Sequence, residues 1–405
     1  MKKIILFEPE VKNGVGHHLD NLIQDSYFLK KNNKIIGFLN KEFKKKDLFI
    51  PDFIKIKPII VTLNNSFFTN IRNFFFILKK FIFFLYYFKQ KKKLLIILKN
   101  YILNFFSLPV YFFSFYEEFK KLNLNENDHL LVQSGRPKDI KLIYFLCSIE
   151  KNIPNIHFKV RYPPKKRFLD YAKKINKLKN TKNKFYLYSE IINIKNIIES
   201  NKDLKSDIAL PIYNFYNRKI ISNCNEELIL GFLGESRNEK GFNKLPFLLK
   251  EIFNKKNNFK FIIQLSDTIY PETKYVREEI INLAKYNKKI ILHFGFLNFL
   301  NWRIFLKKIN IIPIIYQKSY SDTVASGLFY SCICNEIPMV IPKNTLYMKN
   351  LLSHKGYQEA DSIAEYSSKL LKISCNYNYY LKEMKKESKN YKNLLNQDAL
   401  ISRVK

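Results

Sequence analysis

The fold of this chain is indicated most clearly by residues 227–252, which read ELILGFLGESRNEKGFNKLPFLLKEI. The apolar run 228–233 is typical of a buried strand, and the apolar residues of the second half recur at helical spacing. The loop between them contains Gly234, Arg237 and Lys240. In α/β sheets such a loop presents backbone N–H groups and the positive end of a helix to an anion. We therefore predict that both cations bind one diphosphate; the alternative is that they only face solvent.

Strands and helices alternate on both sides of this stretch, which favours parallel, doubly wound α/β sheets. The predicted strands are 3–7, 34–39, 57–63, 128–133, 155–161, 184–189, 208–211, 228–233, 260–265, 290–292, 311–315 and 339–341. A helix is predicted to follow most of them. The helix of the opening stretch is predicted to begin at Lys240-Gly241.

The length of 405 residues suits two domains better than one core. We predict an N-terminal domain at 1–212, a linker at 213–225, a C-terminal domain at 226–375 and a terminal helix at 376–405. The terminal helix is expected either to return to the first domain or to dimerise. Two doubly wound domains form a cleft at the carboxyl ends of their sheets, which is where ligands bind.

The chain is strongly basic, with 70 Lys and Arg against 35 Asp and Glu, which gives a formal net charge of +35. Such a charge predicts attraction to nucleic acid, to an anionic membrane surface or to phosphorylated ligands. Part of it is what an AT-rich coding sequence produces. Nucleic-acid binding is not favoured, because no recognised motif occurs and the charge is spread along the chain.

The cysteines and histidines form no pattern that is typical of a metal site. The five cysteines are Cys147, Cys224, Cys332, Cys334 and Cys375. Their odd number and scatter favour reduced thiols in the cytosol. Glu8 and Glu10 interrupt the first apolar run, which therefore predicts a strand and not a signal peptide. We expect no metal and no cofactor.

Residues 66–116 are rich in phenylalanine and lysine and contain no acidic residue. The first interpretation is a helical insertion that lies on an anionic membrane surface, with lysines at the headgroups and aromatic rings in the interface. Buried helices of the N-terminal domain are the second. A membrane span at 94–116 is the third, and it is weakened by Asn100, Asn104 and Pro109.

The loop after the first strand contains Gly14 and Gly16, followed by His17 and His18. Two glycines so close allow a tight turn or the approach of a ligand to the backbone. The loop does not match the full dinucleotide-binding fingerprint, because no third glycine follows. The two histidines are the best candidates for contact with a second substrate; packing or exposure at a helix start is the alternative. Arg136 and Arg161 also follow predicted strands of this domain and are further candidates for the cleft.

At these residues the sequence resembles GT-B glycosyltransferases, in particular glycosyltransferase family 4. The segment from Gly234 to Phe242 resembles that family's donor loop, in which an arginine and a lysine hold the diphosphate of a nucleotide sugar. Ser326-Gly327, followed by 338–342, resembles its second signature, where a helix N-terminus meets the donor. Gly295 matches a glycine near the nucleotide base. The Gly14–Gly16 loop resembles the glycine loop on the acceptor side.

The sequence departs from this family at one point. Many members carry two glutamates around the second signature, and the later one holds the ribose. The corresponding residues are Thr323 and Ser331, with Asp322 beside the first. We retain all three as candidate donor-binding residues, together with Gly234, Gly295, Ser326 and Gly327.

The resemblance implies two Rossmann-like domains and transfer of a sugar from a nucleotide diphosphate to an acceptor, with retention of configuration. Arg237 and Lys240 would act on the leaving diphosphate, without a metal. With the basic insertion, it implies synthesis of a surface polysaccharide or lipid-linked glycan at the inner face of the cytoplasmic membrane. The alternatives are an inactive GT-B scaffold, a GT-B epimerase or phosphorylase, and a nucleic-acid-binding protein.

Overall fold

The structure is a computed structural model of the 405-residue chain. It describes residues 1–9, 11, 17–41, 43, 50–59, 107–182, 184–213, 215–218, 227–255, 259–343 and 345–404. The predicted glycine loop with Gly14 and Gly16, and residues 66–106 of the predicted insertion, lie outside these ranges.

The first half of the chain forms a seven-stranded sheet. Its strands are β1 (Lys2–Glu8), β2 (Asn33–Asn40), β3 (Ile54–Ile59), β4 (His129–Val132), β5 (Asn155–Val160), β6 (Phe185–Ser189) and β7 (Ser206–Ile208). They pair in parallel in the order β3-β2-β1-β4-β5-β6-β7. The central strands are continuous apolar runs because helices cover both faces of the sheet; Ile4, Ile5, Leu6 and Phe7 are all fully buried.

The second half repeats this arrangement. Its strands are β8 (Leu228–Phe232), β9 (Phe259–Leu265), β10 (Ile290–Phe294), β11 (Ile312–Pro313), β12 (Met339–Pro342) and β13 (Tyr357–Ala360). Two parallel three-stranded sheets, β10-β9-β8 and β11-β12-β13, are joined by a parallel bridge between Leu230 and Ile311. The strand order reverses between β1 and β4 and again between β8 and β11, and ligands bind at such switch points. The prediction of two doubly wound α/β sheets is confirmed.

In the described residues an α-helix follows most of the strands, as predicted. The α-helices are His17–Leu29, Ser107–Lys121, Pro137–Ile149, Lys166–Asn176, Ile192–Glu199, Leu245–Asn254, Lys274–Tyr286, Phe299–Lys308, Lys318–Thr323, Gly327–Cys334, Leu346–Leu351, Ile363–Cys375, Tyr377–Asn396 and Ala399–Val404. The helix predicted to open at Lys240-Gly241 begins only at Leu245. Gly241 has φ +76°, a left-handed conformation that separates two short 3-10 turns and delays the helix.

The described end of the 66–116 segment lies in the core. It belongs to the helix Ser107–Lys121, in which Tyr111, Phe112 and Phe115 are at most 1% exposed. Tyr111 packs against Phe7 of β1, and Phe115 packs against Phe7 and against Phe38 of β2. The membrane-surface placement is therefore wrong for these residues, since their rings are already covered by the sheet. Within the described ranges, no helix has the length and apolar character needed to cross a bilayer.

The terminal helices return to the first half of the chain. The Tyr391 hydroxyl donates to the carbonyl of Pro211 at 2.6 Å, and the Leu210 N–H donates to Asp398 at 2.8 Å. Leu400 and Val404 are buried in the same cluster as strand residues of the first sheet. Of the two arrangements predicted for this helix, the structure shows the return to the first domain.

Candidate active site

A cavity of about 510 Å³ lies where the carboxyl ends of the two sheets face each other. Both halves of the chain line it. The lining residues are His18, Arg161, Tyr162, Glu190, Tyr213, Leu233, Gly234, Glu235, Arg237, Lys240, Gln264, Phe296, Leu297, Trp302, Tyr316, Tyr320, Val324, Ala325, Ser326, Gly327, Leu328 and Ser331. Several of these residues, among them Arg161, Glu190 and Leu233, directly follow a strand, where the switch-point rule predicts ligand binding.

The loop after β8 is fixed against its neighbours by two glycines with positive φ. Gly234 (φ +120°) donates its N–H to the Gln264 side chain at 2.8 Å. At Gly241 an added Cβ would lie 2.0 Å from the carbonyl oxygen of Ile315, so only glycine allows this approach to the chain after β11. The loop between them therefore holds Arg237 and Lys240 at the cavity wall.

Arg237 is held by two carboxylates and a tyrosine. Its Nε lies 3.0 Å from Glu235 and its Nη1 lies 3.0 Å from Glu239, while Nη2 donates to the Tyr320 hydroxyl at 3.3 Å. Burial alone would lower the pKa of Arg237, but Tyr320, Glu235 and Glu239 outweigh it and raise the pKa. The guanidinium thus stays charged and already has anionic partners that a ligand must replace.

Lys240 is the less strongly paired cation. Its Nζ lies 3.7 Å from Glu235 Oε2, and its side chain is 20% exposed. Burial, and then the nearby Arg237, lower the pKa of Lys240 to about 8, against the opposing effect of Glu235 and Glu239. A diphosphate beside this ammonium would relieve both effects, because it supplies the missing negative charge.

The second anion-binding element is the start of the helix Gly327–Cys334. Ser326 caps it: the Ser326 Oγ accepts from the Phe329 N–H at 3.2 Å and donates to the Tyr316 hydroxyl. An added Cβ on Gly327 would lie 2.8 Å from the Tyr213 hydroxyl, so the close packing there requires glycine. The first N–H groups of a helix have no acceptor within it, and Gly327 and Leu328, which carry two of these groups, line the cavity.

Thr323 and Ser331, the residues at the positions of the family's two glutamates, lie in different surroundings. Ser331 borders the cavity, is 1% exposed, and has no hydrogen-bond partner for its hydroxyl among the described residues. Thr323 is exposed, does not line the cavity, and donates to the carbonyl oxygens of Ser319 and Tyr320. Asp322 lies within the helix Lys318–Thr323.

Gly295 contacts the donor loop indirectly. It follows β10 with φ +95°, and the next two residues, Phe296 and Leu297, border the cavity. Gln264 joins the two loops: its amide oxygen accepts from Gly234, and its amide nitrogen donates to the Gly295 carbonyl at 2.9 Å. Sequence reasoning did not single out Gln264, although a polar residue inside an apolar strand is a signal that could have revealed it.

On the opposite wall, His18 is the predicted acceptor-side residue that reaches the cavity. Its Nδ1 lies 3.3 Å from Glu8 Oε1 and 3.3 Å from Ser134 Oγ. Glu8, at the end of β1, is fully buried. His17 is the first residue of the helix His17–Leu29. Glu8 and Ser134 therefore both lie beside the same ring nitrogen of His18 at the cavity wall.

Arg161 also reaches the cavity, whereas Arg136 does not. The Arg161 Nε donates to Glu190 at 2.9 Å, and both residues line the cavity. Arg136 instead pairs with Asp139 at the start of the helix Pro137–Ile149. Sequence reasoning missed Glu190, because nothing in the chain next to Glu190 indicates a partner 29 residues away.

Among the residues that the structure describes, the acidic and sulfur-containing side chains form no evident metal centre. No group of three or more His, Cys, Asp or Glu side chains that could hold a metal ion occurs within the described ranges. Cys147, Cys332, Cys334 and Cys375 are free thiols. The charged groups that face the cavity are thus side-chain cations, carboxylates and a helix N-terminus.

No protein-family model and no curated protein sequence matches the chain. Solved structures do. A TarM variant from S. aureus, in complex with Fondaparinux, alpha-GlcNAc-glycerol and UDP, has a TM-score of 0.65 at 11% identity and covers 100% of this chain and 98% of its own. A glycosyltransferase from Rickettsia africae has a TM-score of 0.58 at 13% identity. The match covers 97% of this chain and 93% of that structure's chain. An alpha,alpha-trehalose-phosphate synthase (UDP-forming) from Burkholderia vietnamiensis has a TM-score of 0.60 at 9% identity. The match covers 100% of this chain and 97% of that structure's chain.

At identities this low the likeness concerns the fold, and it extends over the whole chain. The neighbours are GT-B proteins, and they match both α/β halves together. The strand order of each half and the cleft between the two sheets agree with that architecture. The chain has the GT-B fold.

Proposed function

We propose that the protein is a glycosyltransferase that moves a sugar from a nucleoside-diphosphate donor to an acceptor hydroxyl. The observation that carries this proposal is the convergence of Arg237, Lys240 and the N-terminus of the helix Gly327–Cys334 on one cavity of a GT-B fold. Three separate sources of positive charge or N–H donors at one site are what a diphosphate requires. The UDP named for two of the structural neighbours supports testing UDP-sugars first.

The same groups provide the catalysis. When the bond between sugar and phosphate breaks, negative charge accumulates on the leaving diphosphate. Arg237, Lys240 and the N–H groups of Gly327 and Leu328 stabilise that charge, and a well-placed donor of this kind contributes about 3–4 kcal/mol. Because these groups supply the positive charge that a metal would otherwise supply, we propose a metal-independent reaction. We also propose retention of configuration, which rests on the resemblance to glycosyltransferase family 4.

The remaining cavity wall suits the other parts of the substrates. Phe296, Leu297 and Trp302 offer an apolar surface near the Gly295 loop for the base, and the Ser331 hydroxyl lacks a partner that a ribose hydroxyl supplies. His18 and Arg161, from the first half of the chain, also line the cavity, and we propose that they contact the acceptor. We propose a glycan or lipid-linked acceptor in cell-surface polysaccharide synthesis, such as lipopolysaccharide or capsule. The net charge of +35 supports the proposal that the protein acts at the inner face of the cytoplasmic membrane.

The test is release of nucleoside diphosphate during incubation with nucleotide sugars and a lipid-linked acceptor. Arg237→Ala and Lys240→Ala are expected to lower kcat at least about a hundredfold each, since each removes one stabilising donor. Lys244→Ala is the matched control, because Lys244 is close in sequence but does not line the cavity. Full turnover in both site variants would show that the donor site is elsewhere.

A nucleotide-binding scaffold without activity is the second candidate. It is favoured by Thr323, which stands where the family has a carboxylate. The Thr323 side chain is exposed, and its hydroxyl donates to a carbonyl oxygen of its own helix. A scaffold binds nucleoside diphosphates but releases none from any nucleotide sugar. A GT-B epimerase is distinguished in the same assay, because it converts a nucleotide sugar in the absence of an acceptor.

A further inference from the structure

The helix Phe299–Lys308 has an unusual outward face. Leu300, Arg303, Ile304, Lys307 and Lys308 are all exposed, and their spacing of three and four residues places them on one side of the helix. Leu300 is 50% exposed and Ile304 is 48% exposed. We call these five residues the outer face.

The inward side of this helix accounts for its folding without the outer face. Leu306 and Ile309 are buried in the core, and Trp302 and Phe305 pack against it. Asn298 caps the N-terminus through the N–H of Asn301. The exposed leucine and isoleucine therefore contribute little to holding the helix in place.

The sequence around the outer face is entirely basic. Residues 280–321 contain no Asp or Glu and seven cations, which are Lys285, Lys288, Lys289, Arg303, Lys307, Lys308 and Lys318. Lys289 lies 3.7 Å from Glu227, and Lys307 lies over the ring of Tyr216. Ile291 and Phe294, on β10 at the edge of the sheet, are exposed as well. Aliphatic side chains between cations form the pattern of a surface that contacts anionic lipid.

We propose that the outer face docks the protein on an anionic lipid surface. The aliphatic pair Leu300 and Ile304 enters the interface, while Arg303, Lys307 and Lys308 meet the headgroups. A second copy of the chain fits this face poorly, because a two-fold contact would bring the cations of both copies together. A nucleic acid also fits it poorly, because none of the five residues has an aromatic ring on which bases could stack.

The outer face lies beside the cavity. Trp302, on the same helix, and Leu297, just before it, both line the cavity. Docking by this helix therefore holds the rim of the cleft near the lipid surface, where a lipid-linked acceptor is anchored. This last step rests on the proposed function, whereas the docking itself does not.

The experiment is sedimentation of the full chain with vesicles of phosphatidylcholine alone and of phosphatidylcholine mixed with phosphatidylglycerol. The variant Leu300→Ser with Ile304→Ser is expected to lower the partition coefficient on the mixed vesicles about tenfold or more, because it removes both apolar contacts. Arg303→Glu with Lys308→Glu is expected to do the same and to weaken the dependence on salt. The matched controls are Phe247→Ser and Leu346→Ser, at side chains that are 61% and 57% exposed on other helices.

Loss of binding in the two outer-face variants, with the controls unchanged, supports the proposal. Equal binding by all variants overturns it, as does a wild-type chain that binds neither vesicle or both equally. If the outer-face variants change dimerisation or oligonucleotide affinity while vesicle binding stays intact, the lipid proposal is overturned. The occupant of the outer face is then a second copy of the chain or a nucleic acid. Because the vesicle experiment does not measure nucleotide binding or turnover, failure of the docking proposal leaves the proposed transferase activity standing. In the same way, failure of the transferase assay leaves the docking proposal standing.

Discussion

At the scale of single residues, the two cations of the candidate site already have carboxylate partners. Arg237 has Glu235 and Glu239 at 3.0 Å, and Lys240 has Glu235 at 3.7 Å. A single negative charge gains little by replacing one of these carboxylates. A diphosphate that contacts both cations and the helix N-terminus at once, as we propose, would displace the carboxylates more readily.

Lys240 gives the site a dependence on pH. Its pKa of about 8 means that the ammonium needed by a diphosphate is lost as pH rises through that value. We expect the affinity for nucleoside diphosphate to fall up to about tenfold per pH unit above 8. The unfolded chain keeps this proton to higher pH, so the same residue makes the free energy of unfolding rise over that window.

Titration calorimetry at several pH values measures this dependence. Lys240→Arg is the control, because an arginine stays charged across the whole range. The explanation is wrong if the arginine variant loses affinity above pH 8 as steeply as the wild type does.

Gly241 is the residue at which a single methyl group is expected to matter most. Gly241→Ala places a Cβ 2.0 Å from the Ile315 carbonyl oxygen and forces a side chain into φ +76°. We expect a loss of about 2–4 kcal/mol in the free energy of unfolding, together with weaker nucleotide binding, because the donor loop must move.

Chemical denaturation measures the Gly241 effect. Gly37→Ala is the control: an added Cβ there meets its nearest atom at 3.5 Å, which is ordinary contact, and no positive φ is involved. Similar stability losses in the two variants would contradict the role of the left-handed turn.

At the scale of elements, the sequence predicts most strands and helices but not the contacts between them. The predicted strand 228–233 and the observed β8 (Leu228–Phe232) agree, because a buried parallel strand needs an unbroken apolar run. The helix after it starts late, because Gly241 can adopt a conformation that helical spacing does not reveal. For the rings of Tyr111 and Phe115 the sequence leaves both a membrane surface and the domain core open, since periodicity alone cannot distinguish a helix that faces lipid from one that faces a sheet.

The candidate site divides in the same way. Arg237, Lys240, Ser326 and Gly327 were predictable, because each belongs to a local pattern of strand, loop and helix. Gln264 and Glu190 were not, because what makes them part of the site is a partner about 30 residues away. Such pairs depend on the order of the strands in the sheet, and local sequence patterns do not predict that order.

At the scale of the whole molecule, the terminal helices couple the two halves. Tyr391 is 1% exposed, contacts the ring of Tyr330 in the second half, and donates to the Pro211 carbonyl in the first. Tyr391→Phe keeps the ring contacts but leaves that buried carbonyl without its donor. We expect a loss of about 1–3 kcal/mol in the free energy of unfolding.

Chemical denaturation compares this variant with Tyr379→Phe, in which the altered ring is 51% exposed on the same helix. An unchanged midpoint for Tyr391→Phe would mean that the hydroxyl contributes nothing to the coupling.

The return of the chain to its first sheet has a consequence for synthesis. Leu400 and Val404 complete a cluster that also contains Ile4, Leu6 and Leu19. Domains generally fold in order as they emerge from the ribosome. Here the cluster on the first sheet is complete only when the residues near 400 have left the ribosome. Until then, the nascent N-terminal half keeps an uncovered apolar surface. A chaperone that holds nascent chains therefore has a defined place to bind during that interval.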